Sequence, residues 1–279
     1  MKPTRLLGTA VLALSLAGML GSCKKTSPDT TSAAGLSDDE TSLVAAAGFN
    51  SKWVEKKAEG SYPIEGDMLL SKAQLQEMAG ATPSHNFIVA DEEHYRTYNL
   101  VSTTGNRTIT VSLASGFPTY YSDALNQVIA RYNSYGLTIN FSRVSSGGEI
   151  VITAANLGTS GGGCILGQAS GFPTSSGNPS SGFTLSNSSC ALSYINSVTK
   201  ADEVMAHEMG HCIGFRHTDY KRRTSCGPGG GETAGSIGAV HIDGTPTNVS
   251  GSYNSWMMAC TNGDNSFSAD DVIALKVVY

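Results

Sequence analysis

"AHEMGHCIGFRHTD", residues 206–219, sets His207 and His211 four positions apart, so a helix carries both imidazoles on one face. Two rings so placed can reach one metal ion. Glu208, next after the first histidine, can address water on that ion without being a ligand. Gly214 then lets the chain turn sharply and return His217 as a third nitrogen. Three histidines with a fourth position open form the donor set of a catalytic zinc site. The plainer alternative is three packed or surface histidines with no metal. Cys212 follows His211 directly and projects about 100° away from it in a helix. It is therefore expected to face the interior, as a packed thiol or in a disulfide.

The surrounding pattern supports a helix beginning near residue 198, with Thr199 as N-cap and Asp202 three residues on. Val204, Met205, Met209 and Ile213 give it an apolar side, and Gly214 is its expected stop. Upstream, "RTITVSLA" (107–114) alternates Ile109, Val111 and Leu113 with polar neighbours, the pattern of a half-buried strand. "SDALNQVIARYNSY" (122–135) carries Leu125, Val128, Ile129 and Tyr132 at helical spacing, with Ser122 as the expected cap. "LTINFSRV" and "EIVITAA" read as two further strands. Strand, helix, strand, strand is an α+β opening whose crossover makes the first two strands parallel. Residues 158–189 are rich in Gly, Ser and Asn, with "CILGQA" and "GFTLS" as short strands. They read either as an irregular insertion or as the rim of a cleft, with the edge near Phe183 and Ser186 available to an extended peptide.

"HEMGHCIGFRH" resembles the elongated zinc motif of the metzincin metalloendopeptidases. Within that clan the chain is most similar to the bacterial dual-action HEIGH metallopeptidases, related to the myroilysin and astacin-like enzymes. The resemblance covers roughly residues 95–279 and implies an α+β zincin: a mixed twisted sheet, an active-site helix and a C-terminal helix. It implies zinc on His207, His211 and His217, Glu208 as general base, and hydrolysis of internal peptide bonds in protein or peptide substrates. Metzincins also place a methionine turn beneath the metal. "NSWMMAC" offers Ser255, Trp256 and Met257 for it, with Met258 as the alternative. "DNSFSADDVIALKVVY" matches the C-terminal helix, capped by Ser268 with Asp271. Two astacin features are missing: Ala259 stands where a tyrosine follows the turn, and Thr218 stands where Glu follows the third histidine. Tyr220 receives no role, and His241 is read as structural.

The segment before Tyr95 resembles a propeptide. Within it "YPIEGDMLL" is similar to the aspartate-switch segment of astacin zymogens, which makes Asp67 the latency candidate. An ordinary turn at Gly66 and Asp67 is the alternative. The myroilysin relatives use a cysteine for latency, and between Cys23 and Cys164 this chain has none. Residues 38–47 and "LLSKAQLQEMA" (69–79), the latter with Ser71 as cap, are expected helices. "DEEHYRTYN" (91–99) is the expected neighbourhood of activation cleavage.

Residues 1–22 read as a signal peptide: Lys2 and Arg5 precede an apolar run too short for a bilayer span. Leu20, Gly21, Ser22 and Cys23 resemble the bacterial lipoprotein box, so Cys23 is expected to carry lipid, the alternative being a chance cysteine after an ordinary signal. The expected organisation is a signal (1–22), a flexible tether (23–36), a propeptide (37–94) and a catalytic domain (95–279). The expected location is the bacterial cell envelope, held by lipid at the outer membrane or cell surface, with release as a soluble monomer after propeptide cleavage. A catalytically inactive, lipid-anchored zinc or surface-binding module is the alternative, which an intact Glu208 disfavours.

The 279 residues are 40% hydrophobic, enough for a real core, and carry a formal charge of −5. Without Lys2 and Arg5, 23 acids face 16 bases, a charge of −7. Lys221, Arg222 and Arg223 form the one short basic cluster, so nucleic acid is excluded as a partner. Export permits disulfides among Cys164, Cys190, Cys212, Cys226 and Cys260. Cys164 with Cys190 is the first pairing, sharing one Gly/Ser-rich region. Cys226 with Cys260 is the second, with Cys212 able to join either one.

Overall fold

Ile109 and Val111 are fully buried on strand β4 (Arg107–Leu113), and the chain then crosses over through helix α3 (Thr119–Ser134) to β5 (Ile139–Arg143). β4 and β5 pair in parallel, as the crossover requires. β6 (Ile150–Ala155) joins the other side of β4, also parallel, and β10 (Gly182–Ser186) continues the parallel block beyond β6. This computed structural model describes residues 35–51, 54–57, 59–80, 94–160, 162–227, 230–247, 253–261 and 266–279. All of them lie in one unit, Ala33–Tyr279. The signal, Cys23, nearly all of the tether and residues 91–93 of the cleavage neighbourhood lie outside the described residues.

The Gly/Ser-rich stretch is more ordered than its composition implies. After a small hairpin of β7 (Thr159–Ser160) and β8 (Gly163–Cys164), β9 (Gly167–Ala169) pairs antiparallel with β10. β10 is therefore an interior strand, flanked by β6 and β9, and the expected free edge near Phe183 does not exist. Its carbonyls and amides are already used in two ladders, and Phe183 and Leu185 sit in the core.

Two more strands extend the sheet from the N-terminal segment. After α1 (Asp38–Ala46), capped by a Ser37 and Glu40 capping box, β1 (Ser61–Ile64) and β2 (Met68–Ser71) form a hairpin. The expected helix from Leu69 instead begins at α2 (Lys72–Gly80), because Met68 and Leu70 are drawn into the sheet core. Ser71 still caps it, its Oγ accepting from Gln74 N at 3.2 Å. The full order is β1-β2-β9-β10-β6-β4-β5, a mixed seven-stranded sheet.

α5 (Val198–Cys212), reached through α4 (Ser189–Tyr194), packs between this sheet and α3. Its cap is Ser197, not Thr199: Ser197 Oγ accepts from Lys200 N, and Asp202 is spent on an ion pair with Arg131. α3 likewise takes its cap four residues before the expected Ser122, at Pro118, whose fixed φ suits a helix entry. Ser122 instead accepts from Arg143 through its carbonyl and hydroxyl. β3 (Tyr95–Arg96) and β11 (Val240–His241) form a small separate ladder, and α6 (Ala269–Val278) closes the chain. Ser268 and Asp271 form its capping box. Disulfides join Cys164 to Cys190 and Cys226 to Cys260. Cys212 joins neither. It is fully buried and its thiol donates to Gly182 O at 3.6 Å, which fixes α5 against β10. Among the described residues no helix is long and apolar enough to cross a membrane.

Candidate metal centre

α5 stacks His207 above His211, and Gly214, at φ 106°, turns the chain so that His217 faces both. His207 Nε2 and His211 Nε2 lie 3.1 Å apart. Asp67 Oδ2 completes the group, 3.4 Å from each of those nitrogens and in closer contact with His217 Nε2. The four donor atoms all lie within 4.8 Å of one another and all four residues are buried.

The outer ring nitrogens decide what this cluster can hold. His207 Nδ1 lies 2.8 Å from Trp256 O, and His211 Nδ1 lies 2.9 Å from Phe215 O. A carbonyl only accepts, so each Nδ1 carries the proton and each Nε2 turns a lone pair inward. His217 Nδ1 is paired in the same way with the Glu232 carboxylate. Lone pairs of His207, His211 and a carboxylate oxygen converging in a dry site repel one another unless a cation lies between them. Burial would lower the His217 pKa, but the Asp67 and Glu232 carboxylates outweigh it and raise it well above the usual value, so a proton on His217 plays that part until a metal ion replaces it. Burial lowers the His211 pKa to about 4, which keeps that ring neutral and able to ligate. Burial would raise Asp67, but His217, His207 and His211 outweigh it and hold the carboxyl well below the usual range. The residues present therefore fit a small divalent ion with imidazole and oxygen donors.

Glu208 sits beside the cluster without joining it. Its Oε2 is buried with no hydrogen-bond partner, and burial and then the Asp67 charge push its pKa well up. Gly167 of β9 makes room for it: a Cβ there would lie 2.3 Å from Glu208 Oε1. A larger residue in β9 would displace the carboxylate.

Met257, expected in a methionine turn, lies in close contact with α5. A Cβ on Gly210 would meet Met257 Sδ at 2.4 Å, so the glycine that weakens the helix also lets Met257 approach it. Met257, rather than the half-buried Met258, takes this place. Ser255 Oγ donates to Asp271 Oδ1 at 2.6 Å and pairs with Thr218 Oγ1 at 2.7 Å. Trp256 N also donates to Asp271, and Thr218 N donates to Met257 O. The turn, the His217 loop and the start of α6 are thus fastened through one buried carboxylate. Trp256 Nε1 and Tyr132 OH both donate to Ala206 O, pinning the helix one residue before His207.

Sequence reasoning missed Glu232. It lies in "GGGETAG", a loop with no periodicity, and only the fold shows that it faces His217. Glu65 was also missed. Its carboxylate is buried against Arg216, and its carbonyl accepts from Arg223 at 2.8 Å. Burial, followed by the Glu232 charge, raises the Glu65 pKa well above the usual range, while Arg216 opposes both. Tyr220 packs its ring against the Arg216 guanidinium at 4.5 Å. His241 lies on β11, its Nε2 3.1 Å from Thr245 Oγ1.

A search of curated proteins returns no match. Among solved structures, one described as "Structure of myroilysin" aligns at 23% identity and TM-score 0.29, covering 42% of this chain and 54% of that one. The chain thus spans about half the length of that protein. A second, "Crystal structure of myroilysin", aligns at 18% identity and TM-score 0.37, covering 72% and 91%. The family model for "Dual-action HEIGH metallo-peptidase" matches residues 62–279, a span that begins in β1 and takes in Asp67.

Proposed function

We propose that this chain, which belongs to the dual-action HEIGH metallo-peptidase family, is a zinc endopeptidase made as a latent precursor. The observation that carries the reading is the convergence of His207, His211, His217 and Asp67 beside Glu208, whose buried Oε2 has no hydrogen-bond partner. His207, His211 and His217 would hold the ion, and Asp67 would fill the position that substrate and water need. Bound zinc supplies Lewis acidity, polarising the scissile carbonyl and acidifying water. Glu208 takes the proton of the attacking water and returns it to the leaving amine. Burial and then the Asp67 charge raise its pKa, and departure of Asp67 removes the second of these causes.

The β1–β2 hairpin supports the latent reading. β2 meets β9 in parallel through Met68 opposite Ala169, and Asp67 O accepts from Ala169 N at 2.6 Å. Release of the hairpin would leave the outer side of β9 open to an extended substrate, which would bind by strand addition. Substrates are proteins or peptides. The leader and Cys23 support export as a lipid-anchored envelope protein, and cleavage between hairpin and body would free a soluble monomeric enzyme. The test is casein hydrolysis by the protein before and after limited proteolysis, with a chelator control. Latent protein that gains chelator-sensitive activity on cutting is the expected result; no activity in either form contradicts the reading.

A further inference from the structure

Glu65 does more than precede the metal-facing Asp67; it fills a prepared seat. It has φ 55°, a left-handed conformation unusual for a glutamate, and this aims its side chain inward. There its Oε1 and Oε2 lie 3.4 and 3.5 Å from Arg216 Nη2, with both side chains almost fully buried. Arg223 Nη2 donates to the Glu65 carbonyl and Arg223 Nη1 to Glu232.

Arg216 is held almost wholly by the body of the protein. Its Nη1 donates to Thr233 O at 2.9 Å and Gly238 O at 3.1 Å, its Nη2 donates to Glu232 Oε2 at 3.1 Å, and Tyr220 lies under its plane. Its Nε is buried without a partner. Loss of the hairpin would therefore leave the guanidinium in place, with a cavity the size of a glutamate side chain in front of it. A fixed, dry cation of this kind is costly unless an anion returns to it, and its pre-organisation lowers the cost of binding one. Glu232 joins this seat to the metal centre, accepting from Arg216 while pairing with His217.

We infer that the seat vacated by Glu65, lined by Arg216 and Arg223, is a specificity pocket for an acidic side chain of the substrate. This rests on the peptidase reading above. Glu65 is two residues from Asp67, so the acidic residue is placed within one or two residues of the scissile bond. Glu232 repels a second carboxylate, and for that reason the preference is set at about tenfold, the low end for a hydrogen bond to a charged group.

The test compares peptides that differ only in Glu against Gln, or Asp against Asn, at positions flanking the cleaved bond, using protein cut by limited proteolysis. The expected result is kcat/KM about tenfold higher for the acid, with the ratio falling to near one in Arg216→Gln while the amide peptide is still cleaved. Arg223→Gln serves as the second variant should Arg216→Gln fail to fold, with a fall in the same ratio expected. A ratio near one in the parent, with both peptides cleaved, overturns the pocket and leaves the peptidase intact. Cleavage of neither peptide counts against the peptidase. In that event, fluorescence anisotropy of the same peptides on the cut protein decides the pocket: about tenfold tighter binding of the acid supports it, and equal binding overturns it.

Discussion

His207, His211 and His217 are each braced by the body of the protein, whereas Asp67, which faces them, hangs from a hairpin joined to β9 through Met68 and Ala169. On the first side every ring has a second nitrogen fixed by a carbonyl or carboxylate, and the helix beneath is held by Tyr132, Trp256 and Met257. On the second side the hairpin adds a buried carboxylate to each of two buried basic groups, Asp67 to the histidines and Glu65 to Arg216. The difference separates two kinds of support. The histidine rings are braced by contacts that do not involve the hairpin, whereas the two hairpin carboxylates meet groups that those contacts hold.

The largest effect expected is on the histidine side. Replacing His207, His211 or His217 by Ala should remove the metal and all peptidase activity, with circular dichroism unchanged in shape. Full metal content after dialysis, read by atomic emission, would break the comparison at its root. Glu208→Gln should keep the metal but lower kcat by about 10² to 10⁴, the usual worth of a positioned base, and equal casein hydrolysis by mutant and parent would exclude that role. Glu232→Gln removes the charge that orients His217 and should weaken metal binding by about 10- to 100-fold in a competition titration with a coloured chelator. An unchanged affinity would mean that Glu232 serves Arg216 and Arg223 alone. The smallest effect concerns the support under the helix: Gly210→Ala forces a methyl against Met257 and should cost about 1–3 kcal/mol in urea unfolding. A neutral result would show that the Met257 contact is loose.

These outcomes also bear on why one half was easier to read from sequence. The histidines share one helix and one turn, so local periodicity and Gly214 sufficed to place them together. Strands β4, β5 and β6 were legible for the same reason, each alternating within itself. Ser197 was passed over as a cap because Thr199 and Asp202 imitate a capping box, and only the tertiary pairing of Asp202 with Arg131 decides between them. Leu69 and Leu70 look helical beside "KAQLQEMA" until the sheet claims them. Glu65 and Glu232 carry no local signal at all; they lie 167 residues apart, one in a turn and one in an irregular loop, and meet only through the fold. Asp67 was reachable through the resemblance of its segment to a known switch, and the geometry now sets its carboxylate against all three histidines.

The central claim is that Asp67 fills the open metal position of the uncut chain. It is tested most directly by binding of a small hydroxamate, a zinc-seeking ligand, to uncut zinc-loaded protein carrying Glu208→Gln, which prevents self-cleavage. The account predicts weak binding to that protein and binding at least about 100-fold tighter when Asp67→Ala is added, a difference of about 2.7 kcal/mol. Equal affinity for the two proteins would contradict it.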